Sequence, residues 1–217
     1  MTGDLLTPLS ELERDALGEL SNIAMARAAN SLRQMVKNEV RLSVPTVEIL
    51  SREGATLVVE RGGSPKLVAV RQDFTGAFAG RALLIFPEVS SLELVREVVG
   101  KEASVEDIME LEDESLAETG NIILNSWVAT IANLLKRGLK MALPVVIRGG
   151  GHDLFQPVGE QYPKVLFLHI KFDIRNKEIR GYVALLMDIP SIDELRALIA
   201  DFVMRVIENK SVRSPIG

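Results

Sequence analysis

Two sets of acidic and amide side chains recur at one spacing in this sequence. Asp15, Glu19 and Asn22 stand at i, i+4 and i+7, and Glu114, Glu118 and Asn121 repeat the interval 99 residues later. At helical pitch each set falls in a narrow sector of the wheel, opposite the apolar side, so three polar groups project together from an exposed face. A carboxamide accepts through its carbonyl and donates through its NH2 without titrating, which suits positioning rather than attack. The chain has no cysteine, so neither a thiolate nucleophile nor a thiolate zinc site is available.

Glutamate on an exposed helix face is ordinarily a solvated helix former. Asparagine is a poorer one because its amide competes for backbone hydrogen bonds, so two mid-helix Asn at matching places need another reason. Each is followed, after 22 intervening residues, by a proline, Pro45 or Pro144. With residue usage near 5% per type, Glu, Asn and Pro at set offsets match by chance about once in 10,000 starts. Two matches in register are far rarer.

The elements that must position these groups also repeat. The periodicity predicts a helix from Leu9 to about Val36, with Leu17, Leu20, Ala24, Ala28 and Met35 on its apolar side and Ser10 as N-cap. Strands are expected at about 47–51, 56–60, 67–74 and 78–86, with turns at Arg61–Pro65 and Phe74–Gly76, then a short helix from Pro87 to Val99. A second long helix is expected over about 111–136, with Leu116, Ile123, Trp127 and Leu134 inward. It is followed by an extended segment at 145–149, strands at about 164–173 and 178–187 joined around Asn176-Lys177, and a helix at 191–208. Pro45 and Pro144 are 99 residues apart, whereas Gly80-Arg-Ala-Leu-Leu-Ile-Phe-Pro and Gly181-Tyr-Val-Ala-Leu-Leu-Met-Asp are 101 apart. The expected architecture is therefore one α/β domain over 1–217, with internal repeats at about 9–100 and 111–208 and a polar tail at 209–217.

Asp15-xxx-Glu19-xx-Asn22-x22-Pro45 resembles the signature of the CheC/CheX/FliY family of response-regulator phosphatases, whose pattern begins with Asp or Ser. Glu114-xxx-Glu118-xx-Asn121-x22-Pro144 fits it except for Glu in the first position. The order of the halves is similar to that of CheC. The resemblance implies a pseudo-twofold fold of the α+β type, with an antiparallel sheet of about six strands against two long motif helices. It implies hydrolysis of the aspartyl phosphate of a CheY-like chemotaxis regulator, where positioning an in-line water does most of the catalysis. Asn22 and Asn121 would orient that water, Glu19 and Glu118 would pair with the partner's active-site lysine, and Asp15, Glu114, Pro45 and Pro144 would support them. The divalent metal, Mg, would belong to the regulator, leaving this chain without a metal or cofactor of its own. The alternatives are an adaptor that binds the regulator or the CheD deamidase without hydrolysis, and a component related to the flagellar switch.

The net charge of −5 and the lack of long Lys/Arg clusters argue against nucleic acid as substrate. The acidic N-terminus lacks a signal-peptide pattern and no apolar run is long enough to span a membrane, so a cytoplasmic protein is expected. Gly149-Gly150-Gly151-His152-Asp153 reads as a flexible turn, and His169 as a core or edge residue. Beyond Asn22 the helical stripe continues to Ala26 and Ala29, and beyond Asn121 to Asn125 and Val128, so the two sites are expected to differ.

Overall fold

The computed structural model describes residues 9–61, 66–100, 104–156, 164–174 and 177–212. Helix α1 (Glu11–Val36) starts where expected: Ser10 Oγ accepts from Glu13 N at 3.2 Å while Glu13 returns a carboxylate oxygen to Ser10 N at 2.8 Å, satisfying two otherwise orphan amides. Leu17, Leu20, Ala24 and Ala28 are buried along it, and Met35 is half-buried.

Strand β1 (Val40–Ser51) is longer than expected, because the chain passes through Pro45 without leaving the sheet. Its pairing slips between Ser43 and Thr46, so the residue that cannot donate sits in a bulge. The strand expected at 56–60 is instead part of helix α2 (Arg52–Arg61). Val58 and Val59 mimic a strand, but the buried pair is Ala55 and Val59, one helical turn apart. Next come β2 (Leu67–Gly76), β3 (Gly80–Pro87), α3 (Glu88–Val99), an unanticipated short α4 (Val105–Glu110) and the second long helix, α5 (Glu112–Leu134).

The chain continues through β4 (Leu139–Met141), β5 (Val145–Gly149), α6 (Gly151–Leu154), β6 (Lys164–Ile174), β7 (Lys177–Met187) and α7 (Ile189–Val212). The triglycine segment is not a plain turn: Gly150 N donates to Asp153 Oδ2 at 2.9 Å and opens α6. Helix α7 runs into the expected polar tail, as far as Val212. The turn residues Gly62–Pro65 and Asn176, and 213–217, lie outside the described residues.

All pairings in the seven-stranded sheet are antiparallel. Its order is β1-β6-β7-β3-β2, with β4 and β5 sharing the outer edge of β2. From either end the order meets a first strand of one half, then the hairpin of the other, so the sheet is pseudo-twofold. Its axis can be located by register: Leu83 pairs with Ala184, which is its own counterpart 101 positions on. The seventh strand arises because the single β1 of the first half is represented in the second by two pieces.

One face of the sheet, with Val68, Val70, Phe74, Leu84, Leu168 and Phe172, packs with α1, α3, α5 and α7 in the main core. The other, with Leu67, Ala69, Ile85 and Phe167, is covered by α2 and α6 through Ala55, Val59 and Leu154. The two motif helices are joined by Trp127 Nε1, which donates to the buried Ser21 Oγ at 3.0 Å, and by Arg27, which donates to Thr130 Oγ1 at 3.1 Å. Arg196 of α7 pairs with Glu13 at 2.7 Å. Burial pushes the Glu13 carboxyl up, but bonds from Arg196 and from the Ser10 amide and hydroxyl outweigh it and hold it below the ordinary carboxylate range. Among the described residues no helix is long and apolar enough to cross a membrane.

Candidate functional site

Asp15, Glu19, Asn22 and Pro45 come together at one groove. Asp15 and Glu19 are exposed on α1, Asn22 is half-buried, and the three line a cleft of about 390 Å³ together with Arg14, Thr46 and Pro45. The spacing of Asn and Pro has a local cause. Asn22 Oδ1 accepts from the backbone amide of Val44 at 2.9 Å, immediately before Pro45 in the β1 bulge. The chain leaves α1, turns through the left-handed Lys37 and returns antiparallel to the helix, and that bond closes the loop.

The second copy is built differently. Glu114 and Glu118 are exposed on α5 and Asn121 is half-buried, but the edge strand breaks between β4 and β5, at Ala142–Pro144, where β1 only bulges. Leu143, at the repeat position of buried Val44, is 86% exposed. The donor to Asn121 Oδ1 comes instead from Gln72 Nε2 at 3.1 Å, which also donates to the Ala142 carbonyl at 2.9 Å. Asn125 Nδ2 is a second donor to the same Oδ1, at 2.5 Å, and reaches the Asn121 backbone carbonyl at 2.8 Å. Gln72 is 1% exposed, and its Oε1 has no hydrogen-bond partner among the described residues. Pro144 is the last residue of the strand break, half-buried.

Ala26 is exposed and Asn125 half-buried, so the expected stripe reaches them. Ala29 and Val128 lie in the core, because further along each helix the same side is covered by neighbouring elements. Arg14 and Gln72 were not anticipated. Gln72 had a signal in the sequence: Val68, Val70 and Phe74 alternate onto one strand face, and a polar residue in that series must find a buried partner. His169 meets Glu48 at 3.3 Å beside Phe167 and Tyr182, away from either motif. Among the described residues no group of three or more His, Asp or Glu is arranged to hold a metal ion.

Two glycines of the motif helices face different surroundings. A Cβ on Gly120 would lie 2.5 Å from the Val70 side chain, so α5 rests directly on β2 next to Asn121. A Cβ on Gly18, at the groove, would meet nothing within 4 Å. Gly120→Ala is therefore expected to lower stability by about 1–3 kcal/mol through overpacking. Gly18→Ala should raise it by about 0.5–1 kcal/mol through helix propensity. Urea unfolding of the two variants should move in opposite directions.

Residues 12–49 match the CheC-like family model, and residues 68–168 match that of the chemotaxis phosphatase CheX. The first match spans the α1 motif and Pro45, and the second includes Gln72, the α5 motif and Pro144. The CheY-P phosphatase CheC of Bacillus subtilis is 27% identical over 199 residues, covering 86% of this chain and 93% of that protein. The flagellar motor switch phosphatase FliY of the same organism is 23% identical over 140 residues, covering 64% of this chain and 36% of FliY. The crystal structure of Thermotoga maritima FliY shares the fold, with a TM-score of 0.71 at 21% identity over 89% of this chain and 98% of that one.

Proposed function

The chain carries CheC-like and CheX family signatures, and from that premise we propose that it is a phosphatase that hydrolyses the aspartyl phosphate of a CheY-like chemotaxis response regulator. The observation that carries this reading is the first groove, in which Asn22 is fixed by Val44 beside Asp15, Glu19 and Pro45. An acyl phosphate is already reactive, and its hydrolysis needs a water held in line with the phosphorus. The Asn22 carbonyl accepts a hydrogen of that water. The water oxygen forms the new bond to phosphorus, the bond to the aspartate oxygen breaks, and free carboxylate and inorganic phosphate leave.

Glu19, about 4.5 Å back along the helix axis, pairs with the regulator's lysine and sets the docking register. Glu118 does the same at the second site. Asp15 and Glu114 extend each acidic face, and Pro45 and Pro144 shape the returning strand. The divalent ion of the reaction, Mg, is held by the regulator.

The test is the decay of radiolabelled phosphorylated CheY with and without this protein. Faster release of inorganic phosphate is the expected result. Measurable binding with no acceleration would overturn the enzyme reading and leave an adaptor.

A further inference from the structure

The two sites differ in how many hydrogen bonds their asparagine carbonyls already accept. A carboxamide oxygen has two lone pairs. Asn22 Oδ1 uses one, for Val44 N. The residue one turn on is Ala26, which has no side-chain donor, and β6 sends only the apolar Leu166, Leu168, Ile170, Phe172 and Ile174 into the core on that side of the sheet. Asn22 therefore keeps one acceptor position for a water at the groove.

Asn121 Oδ1 accepts from both Gln72 and Asn125. Gln72 cannot swing away cheaply: it is buried, its NH2 is also held by the Ala142 carbonyl, and Gly120 rests on Val70 beside it. Asn125 is the looser donor, half-buried and on the same helix.

We propose that Asn125 and Gln72 saturate the Asn121 carbonyl and hold the second site in a resting state, so that turnover comes chiefly from the first site and Asn125 acts as a brake. This rests on the phosphatase reading. Asn125 is a positioning residue that acts through Asn121, and the second site still docks a regulator through Glu118 while orienting its water poorly. The two asparagines are equivalent by repeat but not by chemistry.

The experiment isolates the second site in the Asn22→Ala background and follows dephosphorylation of phosphorylated CheY. Adding Asn125→Ala should raise kcat about two- to tenfold with KM unchanged, the factor expected from freeing one hydrogen-bond acceptor. Asn125→Gln, which keeps a donor, should leave the rate low, and Asn121→Ala should erase the gain. Should the Ala variant fail to fold, Asn125→Ser replaces it, since its short hydroxyl can reach the Asn121 backbone carbonyl but not Oδ1. No rise in kcat, or a rise that survives Asn121→Ala, would overturn the proposal. Failure of the phosphatase reading would show separately, as a wild-type protein that does not accelerate the decay.

Discussion

Substituting Ala for both Asn22 and Asn121 is expected to return phosphorylated CheY to its intrinsic decay while leaving the complex formed. The amides are proposed to contribute orientation of the water, and loss of orientation of a reacting group costs about 100-fold or more. The acids on the exposed helix faces remain, so the regulator still docks and the loss falls on kcat. Glu19→Ala with Glu118→Ala should instead raise KM, because it removes binding shared by ground and transition states. Alanine is the better helix former, so neither helix is weakened directly. At the first site, however, Asn22→Ala leaves the Val44 amide without its acceptor, at a cost of about 1–3 kcal/mol. Asn22→Asp keeps an oxygen for Val44 but sets a negative charge against the incoming phosphoryl group, which separates that structural cost from catalysis. Full activity in the double Ala variant would remove the amides from the mechanism.

The parts of this molecule legible in its sequence are those whose cause is local or repeated. Leu17, Leu20, Ala24 and Ala28 mark one face of α1 by period alone, Ser10 and Glu13 mark its start, and the 99-residue interval exposes the duplication. That interval also relates Arg52 to Gly151, the first residues of α2 and α6, a correspondence hidden by reading Val58 and Val59 as strand. The strand order could not be read, because β1 pairs with β6 across more than a hundred residues and nothing local favours that partner. The site was legible to the same extent. Asp15, Glu19, Asn22 and Pro45 stand out by spacing, and the structure assembles them at one groove. Gln72 depends on a strand, a strand break and a helix from separate parts of the chain, so its meeting with Asn121 is a product of tertiary structure. A difference between the sites is expected from Ala26 and Ala29 against Asn125 and Val128, whereas the one seen in the structure is of another kind: Asn22 Oδ1 accepts from Val44, and Asn121 Oδ1 accepts from both Gln72 and Asn125.

The largest effect on stability is expected from Trp127→Ala. The ring is 2% exposed between α5 and α1, and its Nε1 donates to Ser21 Oγ, itself fully buried. Truncation of a buried aromatic costs about 3–5 kcal/mol, and the stranded Ser21 hydroxyl adds to it. Against a total stability of about 5–15 kcal/mol for a domain, that is a large share. Trp127→Phe fills most of the volume but cannot donate, so it should fall between the two. The position of Trp127 makes this more than a core deletion, because it joins helices from opposite repeats. In the sheet, too, each half supplies the neighbours of the other: β6 lies on β1, and β7 lies on β3. We therefore expect the two repeats to unfold as one cooperative unit, with far-UV circular dichroism in urea showing a single transition whose midpoint falls in Trp127→Ala and whose slope is unchanged. Two transitions, with only one displaced, would mean that the repeats fold separately and that the sites can be lost one at a time.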